Sequence, residues 1–176
     1  MARAAALATV VVLAGCGSSA PAAATTFPYT SADGRFSVVF PGKPSENVTE
    51  AADGGAKRRV SSTMAAKAGD DYGVTWSDFP TSFLGDGATA LLEKVRDTVI
   101  TGVKGTLVSS HETTVGTLPA LDVVAKVASG ATKGEYHARF VLAGTRIYEV
   151  LVIRNNAKAD DERMLDFFDS FELTRS

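Results

Sequence analysis

Cysteine and histidine are scarce in this chain of 176 residues, which has one Cys and two His. A single thiol excludes an internal disulfide framework, and with two imidazoles it leaves little for a structural zinc site. Neither sign of charge dominates. Lys and Arg number 18 against 20 Asp and Glu, and a net of −2 gives no electrostatic case for nucleic acid. The sequence has no Gly-x-Ser-x-Gly elbow, Walker loop, His-Glu-x-x-His or Cys-x-x-Cys, so no enzyme, metal or cofactor is expected. The 45% hydrophobic and 22% charged fractions are those of a globular chain with a real core, not a disordered one.

Residues 1–15 read MARAAALATVVVLAG. Arg3 is their only charge, an apolar run follows from Ala4 to Ala14, and small residues end it, which is the pattern of a secretory signal. The run of about 11 residues is roughly half of what a membrane-spanning helix needs. It also lacks the polar second face of an ordinary buried helix. It leads directly into Leu13-Ala14-Gly15-Cys16, which resembles the lipobox of bacterial lipoproteins. The resemblance implies a diacylglyceryl thioether on Cys16, cleavage between Gly15 and Cys16, and residence on the extracytoplasmic face of a bacterial cell membrane. Each buried methylene contributes about 0.8 kcal/mol, so two or more acyl chains anchor stably where one does not. Loss of Arg3 with the signal makes the mature chain more acidic, and an anionic membrane surface would weakly repel it.

Residues 16–26 carry the lipidated Cys and a small, polar tether, GSSAPAAATT. Its ten residues span about 16–19 Å as a coil and about 33–36 Å stretched. One domain is expected over residues 27–176. Arg35–Phe40 alternates Phe36, Val38 and Phe40 against Arg35, Ser37 and Val39, between the turns Asp33-Gly34 and Pro41-Gly42. Residues 57–67 alternate weakly, with Val60, Met64 and Ala66 on one side. A Gly69-Asp70-Asp71 turn leads to Tyr72, Val74 and Trp76. The period then changes: Ala88, Leu91, Leu92, Val95, Val99 and Val103 predict a helix over 86–104, with Asp86 and Gly105 as caps. Strands follow at 106–115, at Leu121–Val127, at Tyr136–Leu142 and at Ile147–Ile153. The last is apolar on both faces and must be covered on both, so it is expected in the centre of a sheet with helices above and below. A second helix is predicted over 159–169, with Asp160, Asp161 and Glu162 in its first turn and Met164, Leu165, Phe168 and Phe171 buried. Hairpin-length connections make the sheet mainly antiparallel, so the class is α+β, an α/β/α sandwich with two main helices.

Four markers carry a wider resemblance: Gly34-Arg35-Phe36-Ser37-Val38-Val39-Phe40-Pro41-Gly42-Lys43-Pro44, Tyr72-Gly73-Val74-Thr75-Trp76-Ser77-Asp78-Phe79-Pro80, Gly144-Thr145-Arg146-Ile147-Tyr148 and Phe168-Asp169-Ser170-Phe171. In this order they resemble uncharacterised bacterial proteins related to the PsbP, Mog1 and DcrB families. The resemblance implies a fold over nearly all of 27–176 and no particular task, since that fold serves both a photosystem subunit and a small-GTPase partner.

Four groups of residues have a chemical reading beside a plainer one. His111 is followed by Glu112, and His137 has Glu135 two places before it, assigned to its opposite face. A His–carboxylate pair suits acid–base work, but no nucleophile accompanies it, and two half-exposed strand histidines is the plainer reading. Asp160-Asp161-Glu162 suggests a divalent cation or, more simply, the acids that open a helix. Lys57-Arg58-Arg59 suggests a phosphate headgroup or protection of a sheet edge. Phe36, Phe40, Trp76, Phe79, Tyr136 and Tyr148 suggest a lipid pocket or, at strand spacing, core. The expected function is therefore a non-enzymatic, membrane-tethered binding domain with an envelope protein or wall partner. A carrier of an apolar small molecule or lipid is the alternative, and a hydrolase using His137 is the third. An apolar pocket of several hundred cubic ångströms would favour the carrier.

Overall fold

Period-two alternation shapes most of the computed structural model, which describes residues 25–31, 33, 35–53, 56–129, 132–155 and 161–174. The expected signal segment 1–15, Gly15, Cys16 and most of the expected tether lie outside the described residues. The elements in chain order are β1 (Phe27–Thr30), β2 (Ser37–Phe40), β3 (Ser45–Asp53), β4 (Ala56–Lys67), β5 (Asp70–Asp78), a 3-10 turn (Thr81–Leu84), α1 (Ala88–Gly102), β6 (Gly105–Val115), β7 (Leu118–Ser129), β8 (Thr132–Ala143), β9 (Arg146–Arg154) and α2 (Asp161–Asp169). β1 and β2 form a small antiparallel pair, and the other strands form one seven-stranded sheet in the order β3-β4-β5-β9-β8-β7-β6. Every neighbouring pair in that sheet is antiparallel.

The chain therefore builds a meander, crosses through α1 to the far edge, and meanders back until β9 meets β5. This puts the doubly apolar strand in the middle, as its composition requires. Ile147 and Leu151 pack with Leu91, Leu92 and Ile100 of α1, while Tyr148, Val150 and Val152 pack with β2 and α2 on the other face. α1 lies over β6, β7 and β8, whereas α2 contacts β9 and β2. Gly144, at φ 64°, makes the tight turn into β9. At Gly42 the space for a Cβ is taken by the Ala66 carbonyl, so β4 runs against the chain just after β2.

Several expectations are corrected. α1 starts at Ala88 behind Gly87 with no side-chain cap, so Asp86 is not its cap. It ends at Gly102, and Lys104 takes the left-handed conformation, at φ 52°, that was expected of Gly105. Gly105 instead opens β6. The two-residue turn between β4 and β5 is Ala68-Gly69, and Asp70 already belongs to the strand. On β4 the buried side is Ser61, Thr63 and Ala65, not Val60, Met64 and Ala66. The β1–β2 pair covers that side, and the Tyr29 hydroxyl accepts from Thr63 Oγ1 at 3.3 Å, which removes the cost of a buried hydroxyl. β1 and β3 had no sequence signal. β3 carries one large apolar residue, Val48, and is held by its nine rungs with β4.

The buried face of α2 also differs. Phe167 is its most buried residue, at 1% exposed, against Phe40 at 5.3 Å and Tyr72 at 5.4 Å between ring centroids. Leu165 is 56% exposed. Met164 and Phe168 are half-buried, and Phe171 is buried beyond the helix end. The segment after α2 is tied down by an isolated bridge in which Ser37 and Glu172 exchange backbone hydrogen bonds at 2.8 and 2.9 Å.

Candidate functional site

Strand register collects scattered residues into two grooves. The first lies between α2 and the β6–β8 part of the sheet. His111 of β6 is opposite Asp122 of β7, which is opposite Arg139 of β8. The neighbouring rung is Ser109, Val124 and His137. Arg139 grips Asp122 with both arms of its guanidinium, Nε to Oδ1 at 2.7 Å and Nη2 to Oδ2 at 2.9 Å. His137 Nε2 stands 3.2 Å from Glu135 Oε2. Glu135 and His137 thus share a face, contrary to expectation, because side chains two apart on a strand point the same way. Glu112 points to the other face, where Thr89 Oγ1 donates to it at 3.2 Å. Met164, Leu165, Phe168 and Asp169 form the opposite wall of a groove of about 200 Å³. Ser109 stands two strands from His137, roughly 9–10 Å between backbones, with Val124 between them.

The second groove lies at one end of β4 and β5. Antiparallel pairing of Ser61 with Trp76 brings the start of β4 beside the end of β5. Lys57, Arg58 and Arg59 thereby meet Trp76, Asp78, Phe79, Pro80 and Phe83 around about 360 Å³. The Arg58 guanidinium lies 4.1 Å from the Phe79 ring centroid, and that of Arg146 lies 4.3 Å from Trp76. Arg146 also holds Asp78, at 2.7 and 2.6 Å, and these hydrogen bonds keep the Asp78 carboxyl below the usual range. Lys57 Nζ is 2.8 Å from Glu50.

The other sequence candidates separate. Phe36, Phe40, Tyr136 and Tyr148 are buried in the two cores. Asp160 lies outside the described residues, Asp161 pairs with Arg154 at 2.7 Å, and Glu162 lines a groove of about 320 Å³ with Thr25, Thr26, Lys67 and Phe167. Among the described residues no three His, Cys, Asp or Glu stand close enough to hold a metal, and no helix is long and apolar enough to cross a membrane. Three polar pairings escaped the sequence reading: Asp122 with Arg139, Asp78 with Arg146, and Tyr136 with Glu149, where the Tyr136 hydroxyl donates to Oε1 at 2.6 Å. Burial pushes the Glu149 carboxyl up, against the opposing effect of that hydrogen bond, and pushes the Tyr136 hydroxyl well above its ordinary value. A lone Glu in the apolar run Ile147–Ile153 was the signal for the last pair.

No protein-family model and no curated protein matches this sequence. Among solved structures the chain is similar to cyanobacterial PsbP (CyanoP) from Synechocystis sp. PCC 6803, with a TM-score of 0.60 and 13% identity. The likeness covers 92% of this chain and 98% of that one. With its antiparallel sheet and two helices, this chain has the PsbP fold.

Proposed function

We propose that this chain is a lipid-anchored, extracytoplasmic binding domain of a bacterial cell envelope, held to the membrane through a diacylglyceryl group on Cys16. The observation that carries the reading is Leu13-Ala14-Gly15-Cys16 directly after an apolar run, eleven residues before the first strand at Phe27. Its task is recognition of an envelope protein or wall component, without catalysis. Burial of Phe36, Phe40, Tyr136 and Tyr148 against other side chains supports recognition at the surface over carriage of an apolar molecule, because their rings fill space a ligand would need. The two grooves, each lined by charged and apolar side chains together, support it further.

Metabolic fatty-acid labelling with fractionation tests the anchor. Cys16→Ser is expected to yield an unlabelled protein that is either uncleaved or released. A processed variant that still carries label and stays in the membrane would refute the site. Crosslinking pull-down of the lipidated protein from its own membranes, with extracted lipids analysed alongside, tests the binding task. A recovered lipid without a crosslinked partner would favour the carrier.

A further inference from the structure

A strand at the edge of a sheet carries backbone groups with no partner in that sheet, and native chains guard such edges with bulges, prolines, lysines or a covering element. The seven-stranded sheet has two edges, β6 and β3. β6 is guarded, because its register with β7 shifts between Leu107 and Ser109, a bulge with Val108 as the extra residue. β3 is not. It keeps nine unbroken rungs with β4, contains no proline and no cationic residue, and is exposed from Ser45 to Glu50. Among the described residues no strand pairs with its outer side. Every second residue of β3 therefore points its N–H and C=O away from β4, where another strand could meet them.

The two acids that could guard this edge are turned inward. The Tyr29 hydroxyl donates to Glu46 Oε1 at 2.6 Å, and Lys57 Nζ stands 2.8 Å from Glu50 Oε2. Both partners lie on the β4 side of β3. Lys57 belongs to β4, and the Tyr29 hydroxyl also accepts from Thr63 of β4.

The strand's own sequence selects a register for a second copy. Two copies related by a two-fold axis normal to the sheet run antiparallel and keep each face continuous. A slip of one residue would exchange the faces, so the register can move only in steps of two. Thr49 is the middle of Ser45–Asp53, so placing it opposite Thr49 of the second copy pairs all nine residues. In that register Val48 lies opposite Glu50, Asn47 lies opposite Ala51, and no Glu lies opposite a Glu. Thr–Thr is a favourable cross-strand pair, whereas like charges directly opposite destabilise. Sliding the copies by two residues one way puts Glu46 opposite Glu50, and the other way puts Glu50 opposite itself. The register of greatest overlap is thus the one the charges permit. Glu46 and Glu50 of the other copy stay a diagonal apart, about 7–8 Å, and each is held by its own copy.

We infer that β3 is a docking edge for a second copy of this chain, paired antiparallel about Thr49 to make one continuous sheet through both. The inference does not rest on the lipid anchor. The contact is a strip one strand deep and about 30 Å long. That is smaller than the roughly 800 Å² per partner of a standard interface, so the dimer is expected to be reversible.

The test uses the full chain in detergent micelles. Thr49→Cys made in Cys16→Ser leaves one thiol per chain. Directly opposed strand residues have Cβ atoms about 4.5–5.5 Å apart, which a small adjustment brings within reach of a disulfide. Mild oxidation is expected to give a disulfide-linked dimer. Val48→Cys, a diagonal from its own copy, and Thr106→Cys, exposed on the β6 edge, should give little in the same background. Asn47→Cys mixed with Ala51→Cys should crosslink more than either alone, which reports the register. Sedimentation of the parent should show a reversible dimer, and Thr49→Glu should weaken it roughly tenfold or more by setting two like charges opposite. Thr49 is exposed, so that variant should melt like the parent. Failure of the anchor would leave these outcomes unchanged, because the whole crosslinking set lacks Cys16. Equal crosslinking at Thr49 and Thr106 would mean collision alone and would overturn the inference. So would stronger crosslinking at Val48 than at Thr49, or a parent that stays monomeric at its highest soluble concentration, which would leave the edge to a strand of another protein.

Discussion

Truncating Phe167 to alanine is expected to remove a large part of the domain's stability. The ring is 1% exposed and lies at the junction of three layers, touching Phe40 of β2 and Tyr72 of β5 from α2. Removing a buried Phe costs about 3–5 kcal/mol, from lost transfer energy plus the cavity left behind. The two ring contacts argue for the upper part of that range, since aromatic pairs add about 0.5–1.5 kcal/mol beyond burial. A domain of this size has roughly 5–15 kcal/mol in all. In a domain of about 150 residues each kcal/mol moves Tm by about 2–4 °C, so a drop of roughly 6–20 °C is expected. The control is Leu165→Ala, on the same helix but 56% exposed, which should stay within about 0.5 kcal/mol of the parent. Denaturant and thermal melts of both variants decide. A cost below about 1 kcal/mol for Phe167→Ala, or equal costs for the two, would show that α2 is not docked through this face.

Arg146→Met should destabilise by about 1–2 kcal/mol, less than a fully buried pair would lose, because Asp78 is half exposed to water. Its pH signature follows from the lowered Asp78 carboxyl. The contribution of that pair is fully present above the ordinary carboxyl value near pH 4 and is lost as pH falls through the lower folded value, so the variant should show a shallower acid slope in that window. Glu149→Gln has the opposite sign. Its carboxyl is raised by burial, so the ionised form costs stability above the ordinary value. The amide, which keeps an acceptor for Tyr136, should raise Tm at neutral pH and leave it little changed in acid. Gly42→Ala should lower Tm because a Cβ there collides with the Ala66 carbonyl. An unchanged melt would mean that β4 yields at that contact.

Alternation alone determined much of this protein. Phe36, Val38 and Phe40 are buried as their spacing requires, and the doubly apolar run at Ile147–Ile153 could only be central. The α1 stripe was legible too, because helical period and burial agree at Leu91 and Leu92. The α2 face was legible as well, although the stripe expected from the sequence took in Leu165 and left out Phe167. At about 100° per residue, Phe167 closes a stripe with Met164, Phe168 and Phe171, and Leu165 falls roughly 60° outside it. Which member of that stripe goes deepest depended on Phe40 and Tyr72, residues far away in the chain. Tertiary structure alone decided the rest. The β3 edge has no pattern of its own and exists because β4 offers it nine rungs. The β5–β9 junction closes the sheet across a long stretch of sequence, and no local preference specifies it. Both grooves arise the same way. Antiparallel register brings Lys57–Arg59 to Trp76–Phe79, and His111 to Asp122 and Arg139. Register is a relation between strands, set by how whole apolar faces match, so a single segment cannot announce its neighbours.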